Sequence, residues 1–169
     1  MRTPSDQLGH ELAMNLRAAY SHLRRRSNLA FAPFGISSDQ YVVLAVLEEV
    51  GEATQQELVL RCFSDTATVG AMLTLMESKG LVVRNPHPED GRARTVKLTE
   101  SGLRLTQEMT HESSSLRREV TNLYSPAEVQ TLMELLDRLA KALPPQGRKS
   151  LSQKPRPSGR PAPRTLPVT

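Results

Sequence analysis

Residues 64–80, SDTATVGAMLTLMESKG, decide how the rest of the chain is interpreted. Four apolar side chains in this stretch recur at helical spacing, which predicts one buried stripe: Val69, Met72, Leu73 and Met76. Ser64 has the hydroxyl expected of a helix N-cap, and Gly80 suits the left-handed residue that follows a helix. The stretch is therefore predicted to form a short helix that ends beside Gly80.

The opposite side of this helix carries small, uncharged residues: Ala67, Gly70, Ala71 and Thr74. A solvated helix face is usually rich in Lys and Glu, and a glycine in a helix interior costs about 1 kcal/mol relative to alanine. So smooth a face suits close approach to another surface, such as the floor of a DNA major groove. A surface that only tolerates small residues is the alternative.

A second, shorter helix is predicted just before this one. Thr54 and Glu57 form a capping-box pattern, and the helix they open is expected to reach Cys62. Two short helices joined by a few residues make a helix-turn-helix pattern. Many helical proteins contain such a pair, so the pattern alone does not decide the function.

A β-hairpin is predicted over 81–98, with Leu81 and Val83 on one face and alternation in the returning strand as well. Its connection, NPHPEDG at 85–91, is rich in turn-forming residues. Three arginines on this ribbon are placed for phosphates or a narrow minor groove: Arg84, Arg92 and Arg94. Asp90 can pair with one of them. A solvated hairpin end with an ordinary surface ion pair is the alternative.

Amphipathic helices are predicted on both sides of this segment. They run over about 5–27, from Ser37 to Gly51, from Thr99 to about Leu123, and from Ser125 to Leu143. Arg24, Arg25 and Arg26 are expected to close the first helix, with a linker from Asn28 to Gly35. The first and last helices are more apolar than a small core can bury alone, which favours a dimer interface. Packing within one chain is the alternative.

Composition limits the classes of protein that need to be considered. Six of the 22 Lys and Arg residues, but no Asp or Glu, lie in 144–169, so residues 1–143 carry 16 basic against 18 acidic side chains. The overall charge of +4 is therefore no argument for nucleic-acid binding by the folded part. The Pro-rich basic tail at 144–169 is expected to be disordered. A single cysteine, no signal peptide and no apolar run of membrane length predict a cytoplasmic protein without membrane contact.

Three blocks of sequence carry a resemblance to a known family. They are KGLVVR at 79–84, PEDGR at 88–92 and VKLTESG at 96–102. In order and spacing they are similar to the wing signature of the MarR family of winged-helix transcription regulators. The resemblance covers roughly Leu8 to Leu143 and is tightest over 36–102.

The resemblance implies a mainly α fold with a small β-hairpin wing, that is, a winged helix-turn-helix with a dimerisation region built from the N- and C-terminal helices. One such domain is expected over 1–143. Within it a DNA-binding lobe is expected at about 36–100, and dimerisation helices at about 5–27 and 100–143.

The resemblance further implies a homodimer on double-stranded DNA, with one recognition helix per subunit in successive major grooves and Arg92 in the minor groove. The residues expected at the DNA are Thr66, Ala67, Thr68, Ala71, Thr74, Arg84, Asp90, Arg92 and Arg94. Ala71 and Leu75 stand where the family commonly has a basic residue, which favours apolar contacts with thymine methyl groups over phosphate contacts. Phe63 stands where a glycine is frequent, in the turn before the recognition helix.

A small aromatic or phenolic ligand is expected between the dimerisation helices and the DNA-binding lobe. Candidate ligand contacts are His10, Arg17, Tyr20, Tyr41 and His111, although each of these residue types is more often structural. No metal, cofactor or catalytic site is predicted, because the four histidines are scattered and no nucleophile stands beside a base.

These observations predict a sequence-specific DNA-binding transcription regulator, a homodimeric repressor released by a small ligand, and not an enzyme. One alternative is a winged helix used for protein contacts. Another is a redox regulator acting through Cys62, although apolar neighbours favour a buried, unreactive thiol.

Overall fold

The computed structural model describes residues 3–87 and 94–143. Over these residues the chain is mainly helical and has one small antiparallel sheet. In chain order the elements are α1 (Pro4–Phe31), α2 (Ser38–Val50), β1 (Glu52–Thr54), α3 (Gln55–Arg61), α4 (Thr66–Ser78), β2 (Val82–Pro86), β3 (Arg94–Leu98), α5 (Glu100–Glu112), α6 (Ser114–Thr121) and α7 (Pro126–Ala142). The predicted fold class, a helix-turn-helix followed by a two-stranded wing within a mainly α chain, is confirmed.

Helix α1 is longer than the sequence predicted. It continues through Asn28 to Phe31, so the linker predicted from Asn28 onward was wrong over its first four residues. Asn28 is held within the helix by a contact that sequence spacing does not reveal, since its Oδ1 accepts from the Ser38 N–H at 2.7 Å. The chain leaves the helical path only at Pro33, in a short 3₁₀ turn that ends at Gly35 with φ of 63°.

The arginine cluster of α1 lies inside the helix and not at its end, which corrects a second expectation. Arg24 Nη2 lies 2.7 Å from Asp39 Oδ2, at the start of α2. Arg26 makes a bidentate ion pair with Glu119 of α6, with Nη2 2.7 Å from Oε2. Both pairs are exposed, so they fix the placement of α1 against α2 and α6 more than they add stability.

Helix α2 supplies the centre of the hydrophobic core. It begins at the predicted capping box, in which Ser37 Oγ accepts from the Gln40 N–H at 3.2 Å and Gln40 Oε1 accepts from the Ser37 N–H at 2.9 Å. Val43, Leu44 and Leu47 are fully buried. They belong to one cluster with buried side chains of the later elements: Leu58, Val69, Leu73, Met76, Val82, Val96 and Met109.

The sheet has the strand order β1–β3–β2, with both pairings antiparallel. Strand β1 was not predicted, because three residues show no alternation and its partner strand is distant in sequence. The expected phase of β2 was also wrong: Val82 is buried and Val83 only half-buried. Leu81 is buried too, but it precedes the strand, so the alternation does not extend back to it.

The helix predicted from Thr99 to Leu123 is broken in two at Ser113. Residues 113–115 are consecutive serines, and serine hydroxyls compete with the backbone for hydrogen bonds. Ser113 Oγ donates to Thr110 O at 3.3 Å, and Ser115 Oγ donates to Glu112 O at 3.5 Å. Of the apolar residues predicted on this helix, Met109 and Leu116 are buried, whereas Leu103, Val120 and Leu123 are exposed.

Helix α7 belongs to one compact unit of the chain, and the elements from α1 to α6 form another. It begins as predicted, with a capping box between Ser125 and Glu128. Large apolar side chains of α7 are exposed: Leu132, Met133, Leu135 and Leu136. The same is true of α1 in its own unit: Leu8, Leu12, Met14, Tyr20 and Leu23. The predicted tail at 144–169 lies outside the described residues.

Within residues 3–87 and 94–143, no individual helix combines the length and apolar character needed to cross a bilayer. Two bent helix pairs meet that test by length and composition alone, Pro4–Phe34 with Ser38–Val50 and Gln55–Arg61 with Thr66–Ser78.

The end of α4, the start of β2 and the start of α5 meet at one junction. Thr99 Oγ1 and Ser101 Oγ both donate to Gly80 O, at 2.6 and 2.9 Å. The Thr99 N–H donates to Leu81 O at 3.0 Å. Gly102 lies directly against the same residue, since a Cβ atom placed on it would come within 2.0 Å of Leu81 O. Only glycine therefore fits at this point of α5.

We expect Gly102→Ala to lower the free energy of unfolding by about 2 kcal/mol or more, because backbone on both sides of the contact must move to admit a methyl group. Urea unfolding followed by circular dichroism measures the change. Gly9→Ala is the matched control: nothing lies within 4 Å of a Cβ there, so the substitution should stabilise α1. Equal stability of the Gly102 variant and the wild type would contradict the close contact.

Candidate nucleic-acid interface and ligand cavity

The N-cap of helix α4 is Asp65 and not the predicted Ser64. Asp65 Oδ1 accepts from the Thr68 N–H at 2.8 Å, and Oδ2 accepts from Thr68 Oγ1 at 2.7 Å. Ser64 instead belongs to the end of α3, because its N–H donates to Val59 O at 3.1 Å. Either residue type can cap a helix, so the sequence alone did not separate the two.

The two sides of α4 differ as predicted. Val69, Leu73 and Met76 are fully buried and Met72 is half-buried. The uncharged exposed positions form the other side, here called the outer face of α4: Thr66, Ala67, Thr68, Ala71, Thr74, Leu75 and Ser78. Glu77 is exposed as well and lies at the edge of this face. No described segment covers this face, so it is open to a partner.

Gly70 does not belong to the outer face, contrary to the expectation. A Cβ atom on Gly70 would lie 3.1 Å from the side-chain Nε2 of Gln55. The same Nε2 donates to Thr66 O at 3.1 Å, so Gln55 of α3 is held across the start of α4. The glycine therefore makes room for the neighbouring helix of the pair.

Positive charge reaches α4 from a strand, because α4 contains no Lys or Arg. Arg84 of β2 lies back against the helix: its Nη2 is 3.2 Å from Thr74 Oγ1 and 3.5 Å from Gly70 O, and its Nε is 3.5 Å from Glu77 Oε2. The side chain is only 23% exposed. Arg84 is thus a cation at the edge of the outer face and does not extend freely from the ribbon as the sequence suggested.

The other predicted ribbon residues lie further along the wing. Arg94 is exposed at the first position of β3, opposite Pro86 of β2. Asp90 and Arg92 lie outside the described residues. The candidate interface therefore consists of the outer face of α4, Arg84 beside it, and Arg94 at the start of the second wing strand, β3.

The turn between α3 and α4 contains an unusual residue. Phe63 has φ of 50°, within the described residues the only non-glycine in the left-handed region, and is 80% exposed. This conformation costs an L-residue about 1–2 kcal/mol. Glycine, frequent here in the family that the sequence resembles, would adopt it without that cost.

A half-open cavity of about 370 Å³ lies between α1, α2 and the α5–α6 junction. Its wall is largely apolar: Leu23, Phe31, Tyr41, Val42, Leu116 and Val120. Arg117 also lines it and is anchored at the helix break, with Nη2 donating to Thr110 O at 2.6 Å and Nη1 to Ser113 Oγ. An apolar chamber with one guanidinium in its wall suits a ligand that is mostly hydrophobic and carries an anionic group.

The structure brings one of the five predicted ligand contacts to this cavity. Tyr41 lines the wall, its hydroxyl 2.9 Å from Thr110 Oγ1 and its ring 4.7 Å from that of Phe31. Tyr20 lies instead in an open groove on α1 and is 61% exposed.

The other three predicted contacts, His10, Arg17 and His111, are exposed and do not line the cavity. They were predicted from residue type alone, whereas the cavity lies beside the break at Ser113. The serine run at 113–115 is the sequence signal that could have indicated this break.

Cys62 ends α3 and is half-buried, and this burial raises the pKa of its thiol. A raised pKa leaves less thiolate at neutral pH, which opposes a redox role. Among the residues that the structure describes, no three side chains of His, Cys, Asp or Glu cluster as metal ligands would.

The comparisons with known proteins agree with this architecture. A model described as MarR family matches residues 34–93. The multiple antibiotic resistance protein MarR of Salmonella typhimurium is 30% identical to the chain over 116 residues, which are 68% of this chain and 81% of that protein. The chain belongs to the MarR family.

Other relatives are named as transcription regulators. The uncharacterised regulator YdgJ of Bacillus subtilis is 31% identical over 105 residues, 62% of this chain and 64% of that protein. The transcriptional repressor IacR of Pseudomonas putida is 32% identical over 95 residues, 56% of this chain and 57% of that protein. The chain thus spans less than two thirds of the length of these two relatives.

Two solved structures share the winged-helix fold. A cysteine-to-serine variant of MarR from E. coli, complexed with operator DNA, superposes with a TM-score of 0.71 at 28% identity, over 76% of this chain and 93% of that one. NadR in complex with 4-hydroxyphenylacetate gives a TM-score of 0.69 at 25% identity, over 77% of this chain and 92% of that one.

The contribution of the Asp65 cap of α4 to folding stability depends on pH. The hydrogen bonds from the Thr68 hydroxyl and backbone N–H hold the pKa of Asp65 below its ordinary value. Because the folded-state pKa is depressed, the stabilisation is present at neutral pH and is lost as pH falls through that folded pKa. Asp65→Ala should therefore melt earlier than the wild type at neutral pH, and the difference should shrink below about pH 4.

Thermal melts across that range measure the difference. Asp65→Asn, which keeps a capping oxygen but cannot titrate, should melt close to the wild type at neutral pH. A constant difference between Asp65→Ala and the wild type at all pH values would contradict the role of the ionised carboxylate.

Proposed function

We propose that this MarR-family protein is a sequence-specific double-stranded DNA-binding transcription regulator, a homodimeric repressor that a small aromatic or phenolic ligand releases from DNA. The observation that carries the proposal is the open outer face of α4, whose side chains are small or apolar and uncharged. Glu77 is exposed at its edge and pairs with Arg84 of β2, and Arg94 lies on the adjacent strand β3. The operator complex of the E. coli MarR variant supports it.

Helix α4 is proposed to enter the major groove as a recognition helix. Alanine and threonine methyl groups there can contact thymine methyls, while the arginines contact phosphates or the minor groove. The proposed DNA contacts are Thr66, Ala67, Thr68, Ala71, Thr74, Arg84, Asp90, Arg92 and Arg94. Few cations stand close to α4, so shape and apolar contact take a larger share of the recognition than phosphate attraction does.

Dimerisation is proposed to use the exposed apolar side chains of α1 and α7, each uncovered in its own unit. A two-fold symmetric dimer would present two recognition helices to half-sites about 10 bp apart. The proposed lobes are the expected ones: DNA binding at about 36–100, and dimerisation at about 5–27 and 100–143.

Binding to DNA is tested by fluorescence anisotropy of the full chain with promoter fragments and unrelated duplexes over a series of salt concentrations. A DNA-binding protein loses affinity linearly on a logarithmic salt scale, with a slope set by its phosphate contacts. Because few cations flank α4, we expect a shallow slope and a clear preference for one fragment. No binding to any duplex would favour a protein-contact module instead.

Ligand release is proposed to act through the cavity beside Tyr41 and Arg117. A ligand there would press on α6 and α1 and favour a dimer whose recognition helices no longer match the half-site spacing. A coupling free energy of about 1–3 kcal/mol between binding of the small ligand and binding of DNA would be typical. The 4-hydroxyphenylacetate in the NadR complex, an aromatic acid, supports this class of ligand.

Under this proposal the protein works by binding and not by turnover, needs no metal or cofactor, and acts in the cytoplasm. Two of its relatives, YdgJ and IacR, are named as a regulator and a repressor, which supports binding over turnover.

The outer face of α4 is tested with Ala71→Glu. Ala71 is exposed in the middle of the helix, and glutamate is a good helix former, so folding should be unaffected. A carboxylate facing the phosphate-rich groove should weaken binding to the preferred fragment about tenfold or more. Gln107→Glu, on an exposed position of α5, makes the same charge change and should bind like the wild type. Equal affinities of the two variants would contradict the assignment.

The cavity is tested with Val120→Trp. Val120 lines the cavity and is 37% exposed, so an indole there can occupy the ligand space. The variant should keep its affinity for DNA but no longer release it when 4-hydroxyphenylacetate or benzoate is titrated in. Leu123→Trp, at a 70% exposed position outside the cavity wall, should respond like the wild type. Release of DNA from Val120→Trp at wild-type ligand concentrations would place the ligand elsewhere.

A further inference from the structure

Helix α3 ends in a turn that normally requires glycine. The Phe63 N–H donates to Leu60 O at 3.3 Å, and the Ser64 N–H donates to Val59 O at 3.1 Å. This pair of bonds defines a Schellman cap, whose central residue adopts a left-handed conformation. Here that residue is Phe63, with φ of 50°.

The same chain forms the same cap with glycine at the end of α4. The Gly80 N–H donates to Glu77 O at 2.9 Å, the Leu81 N–H donates to Met76 O at 3.0 Å, and Gly80 has φ of 69°. A bulky residue in this region of backbone space is an outlier that calls for a reason. Glycine at position 63 would therefore form the same cap with less backbone strain.

Packing against the rest of the described chain does not explain why Phe63 adopts the left-handed conformation. Leu58 and Val59, a few residues earlier, are buried in the core, whereas Phe63 is 80% exposed. Its exposed fraction is the largest of any large apolar side chain in the described part of the chain. Within its own subunit the ring thus buries too little surface to offset the strained backbone.

The position of Phe63 suggests what the ring meets. It precedes α4 directly, followed by the cap Asp65 and the exposed Thr66 and Ala67. In helix-turn-helix proteins the N-terminal residues of the second helix contact base edges while the first helix crosses the backbone. The turn between the two helices is therefore continuous with the proposed DNA-binding face.

We propose that Phe63 is a DNA-contacting residue whose ring packs against apolar carbon atoms at the edge of the major groove, either deoxyribose or a thymine methyl. The proposal rests on the proposed function. A phenyl ring has no hydrogen bond to offer, so apolar carbon is the part of DNA that it can match. Because α4 has no basic side chain, such a contact adds affinity where phosphate attraction is weak. Strained residues persist where a binding surface needs them.

The test compares Phe63→Gly, Phe63→Asn and Phe63→Tyr in the full-length protein. Glycine and asparagine both tolerate the left-handed conformation and remove the ring, so neither should melt below the wild type by more than a degree or two. Both should bind a duplex selected in vitro by the wild-type protein about threefold to tenfold more weakly, in keeping with the loss of one aromatic contact. Tyrosine keeps the ring and should bind within about twofold of the wild type.

A second duplex, with deoxyuridine in place of thymidine, distinguishes the two kinds of apolar carbon. If Phe63 meets a thymine methyl, Phe63→Gly should lose little further affinity on the uracil duplex. If it meets deoxyribose, the loss should be the same on both duplexes.

Three results would overturn the proposal. Phe63→Gly and Phe63→Asn binding like the wild type would remove Phe63 from the interface and leave the proposed function intact. Lower melting temperatures for both variants, in proportion to the loss of binding, would make Phe63 a structural residue. A wild-type protein that binds no duplex in a salt-dependent way would overturn the proposed function itself, and this inference with it.

Discussion

The contact between Gly102 and the Leu81 backbone determines where the wing lies. At this point α5 meets the chain segment that links α4 to β2, with no room for a side chain between them. The hydroxyls of Thr99 and Ser101 then hold Gly80 O, two residues before the strand. Both ends of the hairpin are thus attached to the end of α4. This attachment fixes the position of the ribbon relative to the outer face of α4.

A break in a helix lies beside the cavity. The helix predicted to run through Ser113 is interrupted there, and Leu116 and Arg117, just after the break, line the cavity together with Tyr41 and Phe31. Hydrogen bonds from Arg117 to the carbonyl of Thr110 and the hydroxyl of Ser113 hold its guanidinium at the cavity wall. The interruption and the charged group of the wall thus occur at the same place.

Local signals were predicted well and long-range ones poorly. The capping boxes at Ser37, Thr54 and Ser125 and the buried stripe of α4 depend on residues a few positions apart, so the sequence contains all the information needed. Strand β1 and the position of Arg84 depend on partners brought near only by folding. The cavity lies beside a helix break, which periodicity cannot reveal because the apolar spacing continues across it.

Arg84 has a consequence for how such a protein can diverge. Its charge stands beside α4 but is encoded in β2, and the junction at Gly102 holds the two elements together. After gene duplication, codons for the exposed alanines of α4 can drift without removing the cation that sits next to them. The outer face of α4 in one copy of the gene could change in this way, while the positive charge of Arg84 beside it is kept.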